Sequence, residues 1–208
     1  MTPETTFLLT GGWDGSRLSS VETFPTGCAV PDLPEGRKGP MTFLTADPSP
    51  SLVTCGGETD NGPIRSCLNL QGSWVGGLVG DLPNDRILGS AVTLPGHGVY
   101  LLGGGAHAMR VTSDFLEAGS DVWGAGPALP ESMAFPCTVA LSTSFLTVNG
   151  RSVREYDIRT GWKSQDTWPY LQTGGDIGYH PGCALVGHQG VITCLAWHRL
   201  GDTKSVNK

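Results

Sequence analysis

The sequence predicts an all-β protein assembled from a repeated four-stranded unit. Three observations lead there. Glycine makes up 31 of 208 residues and proline 15, so glycine stands at about twice its ordinary share. No stretch keeps apolar residues at i, i+3, i+4 and i+7 without a Gly or Pro interrupting it, which argues against long helices. Short aliphatic runs closed by glycine recur at a near-constant spacing instead.

The glycine marker ends the second strand of each unit. It stands in Phe7-Leu-Leu-Thr-Gly-Gly12, Leu52-Val-Thr-Cys-Gly-Gly57 and Val99-Tyr-Leu-Leu-Gly-Gly-Gly105. Phe145-Leu-Thr-Val-Asn-Gly150 carries Asn in place of the first glycine. Gly11, Gly56, Gly103 and Asn149 lie 45, 47 and 46 residues apart. A third strand is expected after each marker, at 20–24, 64–70, 111–116 and 153–158. Trp74, Trp123 and Trp162 fall near the fourth strand, and Cys28 takes that place in the first unit. Leu33-Pro34, Leu82-Pro83 and Leu129-Pro130 then keep the same beat, with Tyr170-Leu171 in the fourth slot. Each is followed by the first strand of the next unit, expected at 41–45, 88–94, 137–141 and 183–186.

Four short strands repeated about every 46 residues are the signature of a β-propeller blade. One blade cannot cover its own apolar faces, so its neighbours must. Gly11, Gly12, Gly56, Gly57, Gly103 and Gly104 allow φ > 0 and close backbone approach. Trp74, Trp123 and Trp162 would pack between blades. The units run approximately 1–34, 35–83, 84–130, 131–171 and 172–197, as one partial propeller domain with a polar tail at 198–208. The length holds about 4.5 blades of this period. The expectation is one incomplete propeller: a fragment of a longer chain that supplies further blades, a strained small ring, or an assembly completed by a partner such as a second copy.

The chain resembles the kelch-repeat family. Leu52–Gly57, Cys67-Leu68, Trp74, Leu82-Pro83 and Arg86 follow that family's order, as do Tyr100–Gly105, Phe115-Leu116-Glu117, Trp123 and Leu129-Pro130. Val53-Thr-Cys-Gly-Gly57 with Ser66-Cys-Leu68, and Cys28 before Pro31-Asp-Leu-Pro34, are similar to the cysteine-bearing secreted kelch proteins of invertebrates. The resemblance implies a non-catalytic protein-interaction module, extracellular, with no cofactor. A cytoplasmic location is the alternative, since the start of the sequence has no basic region before its short apolar run. The segment Leu185-Val-Gly-His-Gln-Gly-Val-Ile-Thr-Cys-Leu-Ala-Trp-His198 looks like the start of a WD40 repeat, and that reading also gives a propeller.

The net charge is −6 and the 13 basic residues are scattered, which argues against nucleic acid and anionic membrane surfaces as partners. No apolar run reaches the ~18–20 residues of a membrane span.

Hairpin register about Asn61 brings Cys55 opposite Cys67, a disulfide candidate. Cys183 and Cys194 flank a tight turn and form a second candidate pair. Six buried thiols remain the alternative. No Cys-x-x-Cys or His-x-x-x-His points to a metal.

Galactose oxidase shares the kelch propeller, so a propeller-scaffold oxidase or glycan-acting enzyme is the competing function. Its copper site needs two His and two Tyr. Here Tyr100 sits mid-strand and Tyr156 in a third strand, and no catalytic residue is assigned. The loops after the glycine markers are the place to look for binding. They hold Trp13, Arg17, Arg65, His107, Arg110 and Arg151. Four arginines at similar positions would ring one face and suit an acidic segment of a partner protein. Arg37 and Arg86, just after the Leu-Pro turns, are expected to brace one unit against the next.

Overall fold

The computed structural model describes residues 7–24, 29–45, 50–104, 111–149, 152–163, 183–188 and 191–196. Over these residues the protein is all-β. β1 (Phe7–Trp13) and β2 (Arg17–Phe24) form a hairpin with an irregularity between Thr10 and Gly12. The first four-stranded antiparallel sheet comprises β3 (Met41–Leu44), β4 (Leu52–Cys55), β7 (Cys67–Leu70) and β8 (Trp74–Val75). The loop inside it carries a small ladder of β5 (Glu58–Thr59) and β6 (Gly62–Pro63).

The second sheet is β9 (Ser90–Leu94), β10 (Gly98–Leu102), β11 (Ser113–Glu117) and β12 (Trp123–Ala125). The third is β13 (Cys137–Ala140), β14 (Ser144–Asn149), β15 (Ser152–Asp157) and β16 (Gly161–Trp162). β17 (Cys183–His188) and β18 (Val191–Ala196) form a last hairpin.

The expected strands fall close to these, with two differences. Leu88 lies outside β9 at φ 62°, where its N–H donates to Gly39 O at 2.9 Å. Residues 64–66 are not strand, because the loop ladder at Gly62–Pro63 holds the chain just before them.

β10 explains why the sheets stack. All five of its residues are buried, and side chains alternate between faces along a strand. Val99 and Leu101 join Met41, Phe43 and Val53 of the first sheet in one core cluster. Tyr100 and Leu102 join Phe145 of the third sheet in another. A strand covered on both faces has no polar side to show, hence its unbroken apolar run. Ring contacts cross both interfaces: Phe43 meets Trp123 edge-on at 5.9 Å, and Tyr100 meets Phe145 at 5.3 Å. Tyr100 and Tyr156 therefore serve as core. Burial raises the Tyr100 phenol pKa above its ordinary value, and Tyr156 adds to the shift.

The first strand of each sheet lies beside the first strand of the next. β9 neighbours both β3 and β13, and β13 neighbours β17. Hydroxyls tie neighbouring sheets together. Thr10 bonds Thr42, and Ser90 bonds Thr138 at 2.7 Å.

Candidate functional site

The segment joining one sheet to the next builds a lock that repeats three times. Leu33, Leu82 and Leu129 donate their N–H groups to the carbonyls of Ser19, Arg65 and Val111, at 2.8, 3.0 and 3.0 Å. Four residues further on stand Arg37, Arg86 and Met133. Their carbonyls accept from Gly12, Gly57 and Gly104 of the glycine doublets, at 2.9, 2.7 and 2.8 Å. The preceding glycines, Gly11, Gly56 and Gly103, have φ of 63°, 67° and 61°. A Cβ on any of them would lie within 3.0 Å of that same carbonyl oxygen. Backbone conformation and close approach thus both demand glycine.

Side chains complete the lock in the other direction. Arg37 Nη1 donates to the carbonyls of Gly56 at 3.2 Å and Ser66 at 3.0 Å, and Nη2 to Ser66 Oγ at 2.9 Å. Arg86 repeats this one unit on, with Nη1 to Gly103 O at 2.7 Å and Thr112 O at 3.2 Å, and Nη2 to Thr112 Oγ1 at 3.1 Å. Each arginine therefore bonds the previous glycine doublet with its carbonyl and the next one with its guanidinium. Both are fully buried and each has a carboxylate. Glu35 lies 3.1 Å from Arg37, and Asp114 lies 2.5 Å from Arg86 Nε. Burial lowers the Arg37 pKa, and Glu35 opposes that shift.

The third lock is built differently. Met133 has no donor, and Asn149 stands where the next doublet would begin. Asn149 Nδ2 instead donates back to Ser132 O at 3.1 Å. The charges are interchanged as well. Arg154 on β15, at the position corresponding to Asp114, faces Glu131 of the connecting segment at 3.6 Å.

The tryptophans close the outer side. Trp74, Trp123 and Trp162 donate their indole N–H groups to Pro31 O, Gly80 O and Ala128 O, at 2.7, 3.0 and 2.8 Å. Each acceptor lies one or two residues before a Leu-Pro pair.

Cys55 and Cys67 are opposite in register and joined by a disulfide. They precede Gly56 and follow Ser66, the two residues whose carbonyls hold Arg37. Cys137, for which the sequence suggested no partner, is also disulfide-bonded. In the last hairpin Cys183 pairs in register with Ala196, and Cys194 with Leu185. The two cysteines are thus offset by two residues rather than directly opposite, and their side chains lie outside the described residues.

The loops after the glycine doublets and the connecting segments lie at the same end of the sheets. Trp13 is 52% exposed there, with Lys38 Nζ 5.6 Å from its ring centroid. Arg17 is engaged within the chain, because it reaches Glu58 at 2.7 Å and Asp60 at 2.8 Å. The hydrogen bond to Glu58 raises its pKa most. Arg65 is exposed and lines an open cleft with Pro63, Ile64, Ser66, Asp81 and Asp85. His107, Arg110 and Arg151 lie outside the described residues. Sequence reasoning missed the acidic side of this end. Glu58 and Asp60 sit one and three residues past a glycine doublet, within the loop already singled out for its Arg65.

Among the described residues no group of three or more His, Cys, Asp or Glu is placed to hold a metal ion. No helix among them is long and apolar enough to cross a membrane. No family model matches the chain, and no curated protein matches it.

Proposed function

We propose that the chain forms part of a kelch-type β-propeller and serves as a non-catalytic protein–protein interaction module outside the cell. It meets its partner through the loops that follow the glycine doublets. The repeated lock carries this reading: three times, a loop able to vary is anchored at its glycine doublet by a fixed set of backbone bonds. A rigid scaffold presenting variable loops is how binding surfaces are commonly built. The side-by-side first strands and the face-to-face sheets suit a radial arrangement of blades. Exposed Trp13, backed by Lys38, is the residue type that anchors interfaces. The buried Cys55–Cys67 bridge suits an oxidising compartment.

Capture experiments with the full chain test the reading. A partner protein held by the wild type should be lost with Trp13→Ala/Lys38→Ala, with the thermal transition of the variant unchanged. Copper loading followed by a screen of carbohydrate substrates tests the competing enzyme. Turnover there would overturn the interaction reading.

A further inference from the structure

The third lock leaves polar atoms unmatched that the other two satisfy. Cys55 pairs with Cys67, Leu102 with Ser113 and Val148 with Val153. Ser66, Thr112 and Ser152, one residue earlier, therefore hold the same place in their units. The Ser66 and Thr112 hydroxyls accept from the guanidinium groups of Arg37 and Arg86, at 2.9 and 3.1 Å. Met133 has no such group to offer, and Ser152 Oγ is buried without a hydrogen-bond partner. Glu131 Oε1, Ser132 Oγ and Arg154 Nε share that condition. These four atoms are buried although their residues are only partly so. Ser152 and Arg154, two residues apart on β15, project from one face of the strand. Glu131 and Ser132 belong to the connecting segment, which meets β15 where Glu131 lies 3.6 Å from Arg154. That separation is too long for a hydrogen bond. Buried polar atoms are nearly always met by protein or by ordered water.

Charge decides between an ion and a neutral group. Each lock holds one guanidinium and one carboxylate: Arg37 with Glu35, Arg86 with Asp114, and Arg154 with Glu131. The third lock is thus already balanced. A cation there would face Arg154, and an anion would face Glu131. Arg154 Nε can only donate and an ionised Glu131 can only accept, so one occupant serving both must accept and donate. We infer that the third lock is a binding site for water. The water accepts from Arg154 Nε and donates to Glu131 Oε1, with the Ser132 and Ser152 hydroxyls as its remaining partners. A buried water makes about three such bonds. It links the connecting segment to β15, as a guanidinium does in the two preceding units. The inference stands apart from the interaction reading above.

The test is a high-resolution crystal structure of the full chain, paired with Met133→Arg. The wild type should show a water peak within about 2.6–3.2 Å of Arg154 Nε, Glu131 Oε1 and at least one of the two hydroxyls. In Met133→Arg the new guanidinium should reach Ser152 Oγ, as Arg86 reaches Thr112, and the peak should disappear. In solution, oxygen-17 relaxation dispersion of the solvent should count about one long-lived water fewer in the variant than in the wild type. The wild-type crystal structure decides the matter by itself if the variant does not fold. No peak at these atoms, direct bonds among the four side chains in its place, or a metal ion or anion at the position overturns the inference. So does an unchanged count of long-lived waters in folded Met133→Arg.

Discussion

Replacing Arg86 with methionine, the residue that stands at the corresponding position of the next unit, tests the lock at its most buried point. The guanidinium is fully buried and bonds four groups, namely Asp114, Gly103 O, Thr112 O and Thr112 Oγ1. Met covers the aliphatic stem but leaves the Asp114 carboxylate, 5% exposed, without its cation. Breaking a buried pair from one side costs about 3–5 kcal/mol. For a urea slope of about 2 kcal/mol/M, the midpoint should fall by about 1.5–2.5 M. Trp123, packed at the same interface, reports the transition by fluorescence. Arg86→Met/Asp114→Asn removes the stranded charge, and its remaining cost should be about 1–3 kcal/mol, that of unmet hydrogen bonds. A single-variant loss below about 1 kcal/mol, or equal losses in single and double variants, would refute the reasoning.

Three further outcomes follow from the structure. Cys55→Ala/Cys67→Ala should cost about 2–3 kcal/mol, given the short loop that the bridge closes. In the native protein the bridge should resist thiol reductants, because Cys55 is 0% and Cys67 2% exposed; rapid reduction without unfolding, read by alkylation and intact mass, would contradict this. Asp157 should titrate below the ordinary aspartate range, because its carboxylate accepts the Arg159 N–H at 2.8 Å and the Thr160 N–H at 3.3 Å. The Asp157 pKa is depressed in the fold, so its stabilisation is present above the unfolded value of about 4 and is lost as pH falls through the lower, folded one. Carboxyl-carbon NMR titration measures that midpoint directly.

The features that were legible in the sequence are those imposed by the backbone. Gly11, Gly56 and Gly103 are fixed by a left-handed φ and a carbonyl at close range, so no other residue serves and their spacing shows through. The strands were legible because β4, β10 and β14 are buried almost throughout, on both faces. Arg37 and Arg86 could be expected to brace one unit against the next because the Leu-Pro turn sets where they begin. Their carboxylates could not be named. Glu35 comes from the connecting segment and Asp114 from a strand, and at the strand position the other units carry Glu22, Leu68 and Arg154. Nor does local sequence tell that Arg17 is matched by Glu58 and Asp60, because that contact joins residues more than forty apart. Of the four arginines expected to ring this end, long-range pairing engages Arg17, Arg65 is exposed, and Arg110 and Arg151 lie outside the described residues. The Asn149 and Met133 departures belong together, since the unit without a donor arginine meets an Asn that brings its own donor.

Hydrogen-bond scalar couplings across the glycine doublets test the lock most directly. A long-range HNCO experiment should show correlations from the amides of Gly12, Gly57 and Gly104 to the carbonyl carbons of Arg37, Arg86 and Met133. All three should appear alongside the ordinary strand-to-strand correlations. Strand correlations without these three would mean that the sheets form but are not joined through the doublets, and the account would fail.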